Sequence, residues 1–98
     1  MNEAIFHPEA RVELRESIEF YNFRLDGLGL RFLESVESTV SRISYSPDAG
    51  APMTDGFRRS IVSGFPFSII YRPWEDNIYL VAVAHHHRRP GYWENREF

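Results

Sequence analysis

The side chains best suited to chemistry crowd into the last quarter of this chain. Residues 85–93 read His85-His86-His87-Arg88-Arg89-Pro90-Gly91-Tyr92-Trp93, and Arg96 follows three positions on. Histidine ionises close to neutral pH and can take or give a proton. Arginine stays protonated and offers a planar fork of donors that grips phosphates and carboxylates. Tyrosine and tryptophan serve as anchors in a partner's pocket. A second cationic pair, Arg58-Arg59, stands in mid-chain. All eleven basic residues are arginine, so any proton transfer must fall to His, Glu, Asp or Tyr.

Each feature also has a plain structural reading. His85, His86 and His87 raise the question of a metal. On a strand only His85 and His87 share a face, and a third ligand such as Glu94 or His7 would have to come from elsewhere, without a zinc-type spacing. No metal and no cofactor is expected. Arg58 and Arg59, as strand neighbours, point to opposite faces. One can meet a phosphate or a partner, while the other lies at the sheet margin or finds a carboxylate. Tyr92 and Trp93 can clamp the C-terminal segment or anchor a partner; the expectation is mixed, with Trp93 packed and Tyr92 near the functional surface. Phe65, Phe67, Ile69 and Tyr71 alternate as one core face of a strand. Glu13, Glu16 and Glu19 read as a solvated helix face. No glycine-rich phosphate loop, Ser/His/Asp order or dinucleotide fingerprint is present.

The elements that must position these groups follow from periodicity. Residues 2–6 form a short candidate strand. His7-Pro8-Glu9 opens a helix, with proline at its first position and an acid favourable to the helix dipole. Ala10, Leu14, Ile18, Tyr21 and Leu25 recur at spacings of three and four, one apolar stripe. Asp26-Gly27-Leu28-Gly29 breaks that helix. A second places Leu30, Leu33, Val36, Val40 and Ile43 on one stripe, with Phe32 beside it, and stops at Ser46-Pro47. So short a break predicts an antiparallel helical hairpin. After a loop at 48–55 the period changes to two. Strands are expected at 57–62, 65–72 and 78–86, with turns at Ser63-Gly64 and from Pro73 to Asn77. The order β-α-α-β-β-β implies an α+β fold, a helical hairpin packed on one face of a small, mainly antiparallel sheet.

Composition bounds the rest. With 98 residues, 43% of them apolar and no cysteine, the chain reads as one globular domain over 1–98 without disulfides or thiolate metal sites. No apolar run reaches the length of a membrane span and the N-terminus lacks a signal-peptide pattern, so a cytoplasmic protein with no membrane partner is expected. The net charge of −3 hides an acidic first half and a weakly basic second half. That is too little for bulk nucleic-acid binding, but it leaves room for a local anion site.

At these residues the chain resembles the RelE/ParE superfamily, the toxins of bacterial type II toxin–antitoxin pairs, over nearly its whole length. His7-Pro8-Glu9-Ala10, Leu28-Gly29-Leu30-Arg31-Phe32 and Ser46-Pro47 are similar to the family's helix starts and stop. Gly56-Phe57-Arg58-Arg59 and Phe65-Pro66-Phe67-Ser68-Ile69-Ile70-Tyr71-Arg72 resemble its central strands. Ala82-Val83-Ala84-His85 leading to Pro90-Gly91-Tyr92-Trp93 and Arg96 resembles the ending of ParE-like members. Two departures stand out: His87 occupies an arginine position of the usual ending, and Ser68, Ile69 and Ile70 stand where RelE ribonucleases often carry an arginine.

The resemblance implies a toxin bound by a cognate antitoxin in a hetero-oligomer, and two targets compete. A ParE-like inhibitor of DNA gyrase needs a binding surface and no catalytic centre. A RelE-like endoribonuclease would act on ribosome-bound mRNA, with His85, His87, Arg58, Arg59 and Tyr92 as candidate catalytic groups. A third reading is a toxin fold that retains only its antitoxin partner. The missing basic cluster favours the gyrase reading. The candidate target- or partner-binding set is Arg58, Arg59, Arg72, His85, Arg88, Arg89, Tyr92 and Trp93.

Overall fold

A computed structural model describes residues 3–98. The chain opens with strand β1 (Glu3–Phe6) and turns directly into helix α1 (Pro8–Arg24); Asn2, the first residue of the expected strand, lies outside the described residues. His7 makes that turn possible: its Nδ1 accepts the Glu9 N–H at 3.0 Å, capping a helix whose first residue is proline. Ala10 is fully buried, and Leu14, Ile18 and Tyr21 pack behind it. Leu25 falls outside the stripe and is exposed, because the helix has already ended at Arg24.

Helix α2 (Leu28–Tyr45) returns antiparallel after Gly27, whose φ of 88° only glycine adopts readily. The Asn22 side-chain oxygen accepts the N–H groups of Gly27 and Gly29 at 3.0 and 3.3 Å, closing the turn. Gly29 sets the distance between the helices: a Cβ there would lie 2.5 Å from the Ile18 carbonyl oxygen. The buried face of α2 is Phe32, Val36, Thr39 and Ile43. This corrects the expected stripe. Phe32 is central, and Leu30, one turn from the hairpin's end, is exposed.

Among the described residues five strands form one sheet in the order β1-β5-β4-β3-β2. The additional strand β2 (Ala51–Pro52) lies within the expected loop; β3 is Arg58–Ile61, β4 Phe67–Trp74 and β5 Asn77–His85. β1 pairs parallel with β5, and the other pairings are antiparallel. β4 continues through Pro73, which pairs with Ile78, so the expected turn begins later, with Glu75 at φ 56°.

Two apolar layers flank this sheet. Phe67, Ile69, Tyr71, Ile78, Leu80 and Val83 face the helices and pack with Phe32, Val36 and Ile43. Ile70, Val81, Ala82 and Ala84 face the other way, beneath Trp93, Phe57 and Tyr92. An irregularity in the β4–β5 register at Ile70/Tyr71 lets the consecutive Val81 and Ala82 both join this second layer. The hairpin therefore covers one face of the sheet and the C-terminal segment part of the other.

Candidate functional site

The C-terminal segment owes its position to a gap in the sheet. β1 stops at Phe6, opposite Leu80, because the chain must enter α1. Among the described residues no strand lies beside the parallel edge of β5 beyond Leu80. Two side chains take the place of one: Arg96 donates to the Val81 carbonyl at 3.0 Å, and Glu13 accepts the Val83 N–H at 3.0 Å. Arg96 and Glu13 also join each other through two bonds, at 2.9 and 2.8 Å. Their side chains are only 10% and 12% exposed. A bidentate, nearly buried pair of this kind is strong when intact and costly when broken.

The Tyr92 hydroxyl donates to the same Glu13 carboxylate at 2.6 Å. Burial, followed by that hydrogen bond and the Glu13 charge, raises the Tyr92 pKa well above its ordinary value. The hydrogen bond to Glu13 raises that of Arg96. The Arg88 guanidinium lies 3.8 Å from the centre of the Tyr92 ring and 3.9 Å from Glu13. Gly91, at φ 75°, and a run of tight turns bring Trp93 back over Ile70 and Ala84, where it is 3% exposed.

Glu13 is thus the hub of the region, not part of a solvated face as its sequence suggested. The sequence carried one signal for this. Position 13 is three after Ala10 and one before Leu14, at the margin of the apolar stripe, where a carboxylate needs a partner.

The three adjacent histidines occupy three different settings. His85 ends β5 on the helix side, edge-on to Phe67 at 5.0 Å. Its Nδ1 accepts the His87 N–H at 3.0 Å. Burial, with smaller contributions from His87 and His86, lowers its pKa below the ordinary value. His86 turns to the other face, its Nε2 2.9 Å from the Ser68 hydroxyl. His87 is exposed beside the His85 ring. Among the described residues no group of three or more His, Asp or Glu side chains is placed to hold a metal ion.

Arg58 and Arg59 part company as strand alternation requires. Arg58 faces the helix side and donates to the carbonyls of Asp48 and Gly50 at 3.0 and 2.7 Å, bracing the loop after α2. Tyr71 holds the same loop through Pro47 and Gly50. Arg59 lies on the opposite face, in a cleft shared with Met53, Ser68, His85, Arg88, Arg89 and Tyr92. Arg72 does not line this cleft; its guanidinium is 5.6 Å from the Phe57 ring and 5.3 Å from the Trp74 ring. Of the candidate residues, then, Arg59, His85, Arg88, Arg89 and Tyr92 come together, with Trp93 as their buried support. Arg58 and Arg72 do not line the cleft. Sequence reasoning did not single out Met53 or Ser68 as parts of this cleft.

A family model described as "ParE toxin of type II toxin-antitoxin system, parDE" matches residues 4–90, ending just before Tyr92, Trp93 and Arg96. Among solved structures the chain is similar to "Chromosomal ParDE TA system from P. aeruginosa", with a TM-score of 0.76 and 17% identity over 87% of this chain and 96% of that chain. At that identity the likeness concerns the fold. No curated protein matches the sequence. The family match begins in β1 and runs past the end of β5 to the turn that carries Arg88 and Arg89, and the chain belongs to the ParE toxin family of type II toxin–antitoxin systems.

Proposed function

We propose that the chain acts by binding rather than by catalysis, as an inhibitor of DNA gyrase silenced by a cognate antitoxin. The observation that carries this reading is the bond between Tyr92 and Glu13 at 2.6 Å. Proton transfer needs groups whose pKa lies near the working pH. Tyr92 holds its proton more tightly than an ordinary phenol. Glu13 is committed to Arg96, Tyr92 and the Val83 N–H. His86 is bonded to Ser68, and the chain has no lysine. Apart from His85, the side chains left to act around the cleft are Arg59, Arg88 and Arg89, which bind anions and do not exchange protons near neutrality.

The runner-up, an endoribonuclease acting on ribosome-bound mRNA, draws on one observation. His85, with a pKa lowered by burial, lines the same cleft as Arg59 and Arg88. As base and charge stabilisers these could in principle serve 2′-hydroxyl attack.

An antitoxin partner is supported by the hairpin surface. Phe20, Phe23, Leu25 and Leu30 are all exposed, Phe23 by 93%, and a partner segment covering them would bury apolar area and stabilise the toxin by mass action. A toxin–antitoxin hetero-oligomer in the cytoplasm follows from this reading. No helix among the described residues is long and apolar enough to cross a membrane. The test is to add the purified chain to a gyrase supercoiling reaction and, separately, to translating ribosomes. Inhibited supercoiling with intact mRNA is expected; site-specific mRNA cleavage with unimpaired supercoiling would transfer the assignment to the runner-up.

A further inference from the structure

The cleft on the sheet face away from the helices is lined by cations, with the Glu13 and Glu94 carboxylates set behind Tyr92 and Gly91. Arg59, Arg88 and Arg89 stand on its rim, and none of its lining residues is acidic. Among the described residues neither Arg59 nor Arg89 is ion-paired, and Arg88 only touches Glu13, at 3.9 Å. The floor is the buried Ile70, Ala84 and Trp93, with the Ser68 hydroxyl held by His86 at 2.9 Å. Three arginine forks around an apolar floor form a place for an anion on a short apolar stem.

Size and surroundings select among anions. The cleft measures about 160 Å³, below the roughly 300–1,000 Å³ of sites that enclose a whole small molecule. Base stacking needs an open aromatic face. Here the Tyr92 ring is covered by Arg88 at 3.8 Å, and Trp93 is 3% exposed. Next to the cleft, Glu13 and Glu16 line a second groove that shares His85 and Arg88, and the chain's net charge is −3. A long polyanion would run into those acids, whereas a single charged side chain would not.

We propose that this cleft is a subsite for one carboxylate, an Asp or Glu side chain of a protein partner. The proposal rests on the binding reading given above and supplies the chemistry of recognition: bidentate arginine contacts, with the stem of the acid against the apolar lining of the cleft. Exposed Arg59 and Arg89 make the capture, and Arg88 is presented by the Glu13–Tyr92 cluster.

The test is a nuclear magnetic resonance titration of the isotope-labelled full chain with three probes. They are a capped pentapeptide of alternating Glu and Leu, inorganic phosphate, and a single-stranded hexanucleotide. Saturable shifts of the arginine Nε signals and of the Ser68 and Ala84 amides are expected with the peptide, weakened at least tenfold in the Arg59→Gln/Arg89→Gln variant. Both arginines are exposed, so the variant should fold, which an unchanged melting temperature verifies. Absent shifts, or equal affinity in the variant, would overturn the subsite. So would tighter binding of the hexanucleotide, or phosphate binding as tight as the peptide. A gyrase assay run in parallel keeps the two ideas separate. Failure to inhibit gyrase strikes the functional reading, while the titration alone decides the subsite.

Discussion

Glu13 and Arg96 lie 83 positions apart in sequence and meet fork to fork, with bonds of 2.9 and 2.8 Å. The pair joins the first helix to the C-terminal turn and fills the edge of β5 that β1 leaves open. Removing one member leaves a charge and strand edge groups poorly satisfied. Glu13→Ala should therefore cost about 3–5 kcal/mol, a large share of the 5–15 kcal/mol typical of a whole domain. Glu13→Gln keeps acceptor capacity and should cost less. Urea unfolding of both variants checks the order. A loss under about 1 kcal/mol for Glu13→Ala would show that the pair is ornamental.

Tyr92 makes stability depend on alkaline pH. Its folded-state pKa is raised above the ordinary 10.0, by burial first and by Glu13 second. The folded state therefore holds the proton more tightly than the unfolded state does. The contribution is complete below pH 10 and is lost as pH rises through the folded value. Burial also raises Tyr21 and Tyr71, so part of the alkaline loss should persist in Tyr92→Phe. Melting temperatures from pH 8 to 11 should fall less steeply in that variant than in the parent.

His85 acts at the other end of the scale and with the opposite sign. Its folded-state pKa lies below 6.5 because burial and two neighbouring histidines disfavour the charged ring. The stability associated with the neutral ring is present above pH 6.5 and is lost as pH falls through the folded value. In His85→Ala the melting temperature should decline less between pH 7 and 5. An identical decline in the two proteins would remove His85 from the account.

Gly29 sets two effects against each other. Alanine is the better helix former, by about 1 kcal/mol. Yet its Cβ would sit 2.5 Å from the Ile18 backbone carbonyl and 3.1 Å from Asn22, and backbone cannot step aside as a flexible side chain can. The clash should prevail, with Gly29→Ala destabilising by about 1–3 kcal/mol. A denaturant series on this single variant decides it.

The fold was legible where neighbouring residues decide the structure. His7-Pro8-Glu9 announced a helix start, which the structure completes with the His7 ring as cap, and the change of period after Pro47 marked the passage from helices to strands. Strand alternation separates Arg58 from Arg59 in the sequence, and the structure sets them on opposite faces. Hidden from the sequence were choices made by distant partners. Glu13 reads as one of three exposed acids until Arg96 and Tyr92 fold back onto it. Leu30 and Phe32 are both apolar and two positions apart, and it is the face of α2 that carries Gly29 against α1 that takes Phe32 into the core. Pro73 looked like a turn because proline usually ends a strand, but β4 carries it near its end, opposite Ile78.

The central claim is that the cleft binds and does not catalyse. The most direct measurement is inhibition of purified gyrase supercoiling by the chain and by its His85→Ala and Tyr92→Phe variants, each dosed as folded protein. Neither side chain transfers a proton in this account, so both variants should inhibit within a few-fold of the parent, while Arg88→Ala, which removes a rim cation 53% exposed, should inhibit clearly less. The contrary result is a parent chain that leaves gyrase untouched but cuts ribosome-bound mRNA at defined sites, with His85→Ala lowering that cleavage by about 10²–10⁴-fold, as loss of a general acid or base does.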